Sequence, residues 1–477
     1  MMNNSEEDLH MGKPFPAKLD LPIPPELSDF LHWLKERGFS VWIVGGAVRD
    51  ALLGFPPKDW DVITDAPCNV IMSSPYRTVA VGARFGVIVV VLNGMTVEVA
   101  CIGKTTSIGT LEADLARRDF TINAIAVPVE IGEGDSHGCT IGAIIDLFGG
   151  VKDLKRGIIK GVIDPEARFK EDPLRVLRAA RFVAEYGFIV EQETYRAMKK
   201  TSSYLKGVAI ERVRDEFFKL IVGNWVREGL EALRTSGAFE AFFPEILEGW
   251  MKRQNGFHKF HIYRHIVETV AYTPPRLRVR LAALFHDIAK PRARKKLNGR
   301  FRFFGHEALS AEMTVEILNR WKTSHTLIEE VATLVKNHMI YNVSQWSDGA
   351  IRRLINRVGN NLIEDLLDLL YADRLAHGVD PSDTQEVELL RNRIAEIQSS
   401  EYPKSVKSLA VNGNDVMAVL NIGPCPAVGK ILKALYQHVL DHPEDNNRDV
   451  LLAMIPRLYY ADQSIASRSS PATTYMQ

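Results

Sequence analysis

Short apolar runs broken by glycine turns fill the first part of the chain, and helical periodicity takes over from Pro165 onward. Pro24 to Arg37 sets Leu27, Phe30, Leu31 and Leu34 on one face, which predicts an amphipathic helix. Val41 to Val44 predicts a buried strand, Ala47 to Leu53 a helix, and Trp60 to Thr64 a second strand. Gly86 to Leu92 and Met95 to Ile102 are β-rich runs flanking Asn93-Gly94, a pair that favours a tight hairpin. Leu111 to Arg118 predicts a helix, and the polar, Gly-rich stretch Glu133 to Ile141 a surface loop. The expected fold class is α+β, a sheet-bearing head followed by a helical remainder.

A chain of 477 residues is too long for one core, so several domains are expected. Its 46% apolar and 25% charged content is ordinary for a soluble protein. No apolar run is long enough to span a bilayer, so no membrane partner is expected. The polar, acidic N-terminus reads as neither a secretory signal nor a transit peptide, which predicts a cytoplasmic location. Cys68, Cys101, Cys139 and Cys425 lie far apart without a CxxC pair; they read as reduced structural thiols and argue against a zinc ribbon. A formal net charge of zero argues against a general nucleic-acid binder. Yet Lys152 to Lys219 holds about five more basic than acidic residues, and a second cluster around Arg292, Arg294, Lys295 and Lys296 lies between Arg276 and Arg302. A basic track along one side, or solvated helix faces, fits these clusters equally.

Candidate chemistry starts at Gly45-Gly46. Two glycines let the backbone turn sharply and approach a ligand. The N–H groups of the helix that follows make a seat for phosphate. Asp59 and Asp61 are expected on the second strand, on one face and about 7 Å apart. Paired carboxylates beside a phosphate cradle suit two Mg²⁺ ions that activate a hydroxyl and hold a leaving pyrophosphate. Each half alone also reads blandly, as a tight turn and a solvated strand edge.

The pattern GGAVRDALLG followed by KDWD resembles the signature of class II tRNA nucleotidyltransferases and bacterial poly(A) polymerases. The likeness runs on through Arg117-Arg118-Asp119-Phe120-Thr121-Ile122-Asn123-Ala124, Asp146-Leu147-Phe148-Gly149-Gly150, Glu171-Asp172-Pro173-Leu174-Arg175 and Glu211-Arg212. It implies a polymerase-β-like nucleotidyltransferase head at 23–150 behind a mobile tail at 1–22, then a helical neck with a base-selecting helix at 151–250. It implies Mg²⁺ on Asp59 and Asp61, with Glu98 either a third catalytic carboxylate or an exposed residue of an alternating strand. Gly45, Gly46 and Arg49 would hold the triphosphate with help from Arg118, Asp119 would contact ribose, and Asn123 would line the same nucleotide site. Arg118 and Asp119 also read as an intrahelical Asp–Arg network.

Asp172 and Arg175 would read the incoming base, by the same resemblance. A carboxylate accepts from the exocyclic amine of cytosine or adenine, and Arg donates to the neighbouring ring acceptor. Uracil would leave the carboxylate unpaired, a mismatch that can reject an analogue by about 10⁴–10⁵ in a buried site. Asp172 before Pro173 also reads as a helix N-cap. Arg175, Arg178 and Arg181 recur every third residue, which puts them on one face as base and phosphate contacts or as a basic surface stripe. Glu211 and Arg212 are expected to brace the neck helices.

A different constellation follows. His286-Asp287 sits in an apolar helical run, His265 precedes it, and His306, His338 and Asp373 follow. Imidazole and carboxylate together suit Mg²⁺, Mn²⁺, Ni²⁺ or Fe. The pattern resembles the HD phosphohydrolase superfamily, which implies an HD domain at 251–378 with His265, His286, Asp287 and Asp373 holding a second divalent metal. A C-terminal helical tRNA-binding region at 379–462 and a disordered tail at 463–477 complete the expected organisation. Gly429, read as part of a turn before a helix, could accept an RNA phosphate or form a structural corner.

The resemblance implies a template-independent enzyme that builds the tRNA 3′ CCA end from CTP, with ATP as a further substrate, and sets no oligomeric state. Relatives that add the terminal A carry an extended loop before the RRD motif, whereas Gly103 to Thr110 is a short polar link here. That shortening is what the resemblance associates with CC addition. A mobile lever could shift the site between two base preferences, and its loss would stop addition after two cytidines. The alternatives are full CCA addition, A addition, poly(A) synthesis, an HD hydrolase with a degenerate RNA-binding head, and an inactive RNA-binding scaffold.

Overall fold

The computed structural model describes residues 19–82, 86–103, 109–131, 139–254, 258–378 and 383–468. Most of the expected N-terminal tail, the centres of the loops after Gly103 and Ile131, and the last residues lie outside that set. The chain divides between Leu247 and Glu248 into two compact units. The head and neck expected from the sequence thus share one unit, and the histidine-rich and C-terminal helices share the other.

The first unit opens with α1 (Pro25–Glu36), whose Leu27, Phe30, Leu31 and Leu34 are all fully buried. Then come β1 (Val41–Val44), α2 (Gly46–Leu52), β2 (Trp60–Thr64), α3 (Cys68–Met72), β3 (Arg77–Gly82), β4 (Val87–Leu92) and β5 (Met95–Cys101). After these are α4 (Leu111–Arg117), β6 (Ile125–Ile131), β7 (Cys139–Ile141) and β8 (Ile145–Asp146). The strands form one sheet in the order β3-β4-β5-β2-β1-β6-β7, with β8 also on β6. Asn93 and Gly94 both take positive φ, 44° and 91°, so the β4–β5 turn is the tight form that matches strand twist. It fixes the register Leu92↔Met95, and from there β5 lies parallel to β2 with Asp61 opposite Glu98. Val97, Val99 and Cys101 point into the core, so alternation leaves Glu98 on the open face.

The neck is helical, as the pattern predicts. It comprises α5 (Gly150–Lys155), the short strands β9 (Ile158–Ile159) and β10 (Ile189–Val190), α6 (Pro165–Glu171), α7 (Leu174–Tyr186), α8 (Gln192–Thr201), α9 (Ile210–Ile221), α10 (Val226–Ser236) and α11 (Phe239–Phe242). α7 packs on α9 and α10. A Cβ on Gly229 would lie 2.6 Å from Ala184 Cβ, so α7 and α10 approach closely only because both positions are small.

In the second unit α12 (Ile262–Tyr272), α13 (Leu277–Phe285), α14 (Lys290–Ala293), the β11–β12 hairpin (Lys295–Leu297, Arg300–Arg302), α15 (His306–Arg320), α16 (His325–Lys336), α17 (Asp348–Val358), α18 (Ile363–His377) and α19 (Asp383–Ser399) follow in order. α12, α13 and α18 pack against one another. The C-terminal helices α20 (Gly413–Leu420), α21 (Pro426–Asp441) and α22 (Arg448–Arg468) close on a separate apolar cluster around Val416, Leu435, Val439 and Leu451. Two expectations change here. Gly429 lies inside α21 and so forms no turn before it. α22 reaches Arg468, so helix occupies the start of the tail expected to lack structure. No helix among the described residues is long and apolar enough to cross a membrane.

Candidate active site and histidine cluster

Gly45, between β1 and α2, has φ 73° and ψ −130°. A Cβ there would lie 2.5 Å from Arg118 Nη1 and 2.8 Å from Asp61 Oδ2, so the backbone turn and the acidic site share the same space. Asp61 lies on β2, but Asp59 sits in the exposed bend before it, so the two carboxylates do not both belong to the strand. The in-register partner of Asp61 is instead Glu98. Partial burial and then the Asp61 carboxylate push the Glu98 pKa up. Arg118 Nη1 stands 3.3 Å from Asp61 Oδ2 while its Nε donates to Asp114 at 3.2 Å. Three hard oxygen donors with positive charge already drawn to one of them are a fitting donor set for Mg²⁺.

Behind this edge is a locked network. Arg49 is buried; it donates to Asn123 Oδ1 at 2.7 Å and to Asp50 Oδ1 at 2.7 and 2.9 Å, and its guanidinium lies over the Phe182 and Tyr186 rings. Asn123 Nδ2 donates to Asp119 Oδ1 at 2.9 Å, and Arg178 Nη2 meets Asp119 Oδ2 at 3.0 Å. Burial would raise the Asp119 pKa, but Arg178 and the Asn123 amide overcome it and hold the carboxyl low. Asp119 is therefore an internal anchor, paired with Arg178 of α7 and not within one helix. An opening of about 510 Å³ lined by Arg49, Lys58, Asp59, Arg181 and Lys219 among others is of nucleotide size.

The EDPLR stretch forms the corner between α6 and α7. Asp172 Oδ1 accepts from Leu174 N at 3.3 Å, a long cap contact, and its Oδ2 meets Arg212 Nη2 at 2.9 Å. Arg175 is fixed by the Arg117 and Arg168 carbonyls at 2.7 and 3.0 Å. Arg181 pairs with Glu216 at 3.0 Å. The three arginines of α7 are thus each anchored and do not form an open basic stripe. The sequence reading missed the reach of Arg212 to Asp172, because sequence spacing says nothing of which face of α9 meets that corner.

Part of the second basic cluster is also neutralised. Arg276 pairs with Asp365 and Asp368, Arg278 with Glu330 at 3.1 Å, and Arg292 with Glu248 at 2.7 Å.

The second unit gathers the predicted His265, His286, Asp287 and Asp373, all buried. His265 Nε2 lies 3.2 Å from Asp287 Oδ2, 3.0 Å from Asp373 Oδ1 and 3.2 Å from His286 Nε2. Asp373, distant in sequence, arrives on α18 because α12 and α13 pack against that helix. Lys290 Nζ meets Asp287 Oδ2 at 2.5 Å, and Arg374 meets Asp373 Oδ2 at 3.4 Å. His306 and His338 face the other oxygen of Asp287. Burial disfavours a charged His286, yet Asp287 and Asp373 carry it up to about 10; burial and His286 take His338 down to about 3.

Comparison with known proteins places these features. Residues 41–160 match the family described as the Poly A polymerase head domain, 187–249 a probable RNA and SrmB-binding site of polymerase A, and 306–455 a putative tRNA nucleotidyltransferase domain 2. The A-adding tRNA nucleotidyltransferase of Deinococcus radiodurans is 36% identical over 338 residues, 68% of this chain and 74% of that one. The CCA-adding enzyme of Streptococcus sanguinis is 30% identical over 448 residues, 91% of this chain and 98% of that one. The chain belongs to the tRNA nucleotidyltransferase family. Among solved structures, the Bacillus stearothermophilus CCA-adding enzyme in complex with CTP matches with a TM-score of 0.68 and 28% identity, covering 93% of this chain and 99% of that one. This tRNA nucleotidyltransferase is accordingly a metal-dependent nucleotidyl-transfer enzyme with an α+β fold.

Proposed function

We propose that the chain extends the 3′ end of tRNA from CTP and stops after two cytidines. The register that sets Asp61 beside Glu98 at the Gly45 turn carries the nucleotidyl-transfer reading. In this reaction the 3′-hydroxyl oxygen bonds to the α-phosphorus and loses its proton, and the α–β bridging bond breaks to release pyrophosphate. Asp59, Asp61 and Glu98 would hold Mg²⁺, which when bound supplies charge neutralisation for the triphosphate and acidifies the attacking hydroxyl. Arg118, beside Asp61, is placed to donate to phosphate oxygens. Gly45 and Gly46 leave the backbone open to the same group. Asp172 and Arg175 select the base, and Asp119, Asn123, Arg49, Arg178 and Arg181 hold that geometry from behind. A tRNA substrate puts the work in the cytoplasm.

The limit to two cytidines is supported by the short connection, residues 102–110, between β5 and α4. The 36% identity to an A-adding enzyme favours a second reading, addition of the terminal A alone. Purified protein given tRNA ending before CCA, or after CC, with labelled CTP, ATP or both separates them. Two C and no A supports the proposal; A added only to the CC-ended tRNA supports the second reading, and all three nucleotides overturn both.

In the second unit, His265, His286, Asp287 and Asp373 are proposed to hold a divalent metal of HD-hydrolase type. The support is that the two imidazole Nε2 atoms face one another at 3.2 Å.

A further inference from the structure

Arg49 follows the glycine turn with its guanidinium held from several sides. Its Nε and Nη2 donate to Asp50 Oδ1 at 2.9 and 2.7 Å, and its Nη1 donates to Asn123 Oδ1 at 2.7 Å. A guanidinium carries five N–H groups, so one remains on Nη1 and one on Nη2. A Cβ on Gly46 would lie 3.6 Å from Arg49 Nη2, so that end of the fork stands against the turn proposed to receive phosphate. Arg49 also lines the opening of about 510 Å³, together with Asp50 and Tyr186.

The groups that hold Arg49 in this pose include two from α7. Phe182 and Tyr186 are four residues apart, neighbours on one face of that helix. Their ring centroids lie 5.0 and 5.2 Å from the Arg49 guanidinium carbon, within cation–π range. The Tyr186 hydroxyl also donates to Asp50 Oδ1 at 3.0 Å, the same oxygen that accepts from Arg49. Burial, joined by the Asp50 and Glu185 carboxylates, pushes the phenol pKa up against the pull of Arg49. The hydroxyl therefore keeps its proton and stays a donor. A phenylalanine would supply the same ring, so the hydroxyl is the part of Tyr186 that acts on Asp50.

We infer that Tyr186 is a positioning residue for nucleotidyl transfer. Its hydroxyl fixes Asp50, Asp50 fixes Arg49, and Arg49 presents its two remaining N–H groups to the triphosphate of the incoming nucleotide. A donor fork ordered before the substrate arrives binds it with less loss of freedom. The inference rests on the reading of Arg49 as a triphosphate ligand. It adds a residue of the neck to the machinery of the head.

Steady-state incorporation by the full chain tests it. The assay holds Mg²⁺, tRNA lacking CCA or ending in CC, and whichever of CTP and ATP the wild type incorporates. Tyr186→Phe removes the hydroxyl and keeps the ring. It should raise the nucleotide KM about tenfold, the effect of losing a hydrogen bond to a charged group, with kcat within about twofold and the tRNA KM unchanged. Its melting temperature should fall by no more than about 4 °C. Asp50→Asn weakens the same link from the acceptor side and should raise the nucleotide KM likewise, so the test does not hang on one variant folding. In an Arg49→Gln background Tyr186→Phe should have no further effect, which a general loosening of α7 would not reproduce. An unchanged nucleotide KM in either folded variant, or a rise that persists without Arg49, overturns the positioning role. An unchanged nucleotide KM in Arg49→Gln overturns the reading of Arg49 and the inference with it, as does a wild type that incorporates neither nucleotide.

Discussion

At Glu98 a single side chain reports on the whole acidic edge. It lies beside Asp61 by strand register, and partial burial with that neighbouring charge raises its pKa. Its folded value therefore exceeds the unfolded one. Stability tied to the protonated form is intact below the ordinary carboxylate value near ~4.3 and is lost as pH rises through the raised value. Glu98→Gln stays neutral throughout. In the absence of metal its melting temperature should exceed wild type at neutral pH and converge with it in acid, by a small margin because solvent screens the site. Added Mg²⁺ should stabilise wild type more than the variant, and nucleotide incorporation by the variant should fall by about 10²-fold. Identical melting curves across pH would mean that Asp61 exerts no pressure on Glu98. Sequence made Asp61, Glu98 and the glycine turn readable because each is a local pattern. The expected bounds of the second strand, Trp60 to Thr64, are those of β2 and already leave Asp59 outside it, in the bend before the strand.

Among elements, the α6–α7 corner and α9 meet at Asp172 and Arg212. Arg212 is more than half exposed, so the pair is worth less than about 1 kcal/mol. Arg212→Ala should therefore lower the melting temperature by no more than about 4 °C. Its larger effect should be on base choice, because Asp172, the carboxylate proposed to accept from the base amine, loses its anchor. A several-fold drop in the CTP-to-UTP ratio of kcat/KM is the expected outcome. An unchanged ratio would reduce Arg212 to the brace its sequence context suggests. The arginines of α7 show the same limit: periodicity placed them on one face, but Asp119, Glu216 and the Arg117 carbonyl, which occupy that face, come from elsewhere in the unit. The β4–β5 hairpin was readable outright, since Asn-Gly fixes both turn and register.

Over the whole molecule, the family assignment spans both compact units, and the motif order in the head already pointed to it. The second unit was less readable. His-Asp adjacency marked the cluster, but its division into two faces of Asp287 depends on α15 and α16 bringing His306 and the residues before His338 toward α13. The charge clusters misled in one respect: much of the basic excess near Arg276 to Arg292 is consumed by Asp365, Asp368, Glu330 and Glu248. The carboxylates at the Gly45 turn are proposed to carry nucleotidyl transfer. Single-turnover incorporation of labelled CTP into CCA-lacking tRNA with Mg²⁺, comparing wild type with Asp61→Asn, tests it most directly. The account predicts a loss on the order of 10³-fold at unchanged melting temperature. Incorporation by Asp61→Asn within a few-fold of wild type would contradict it.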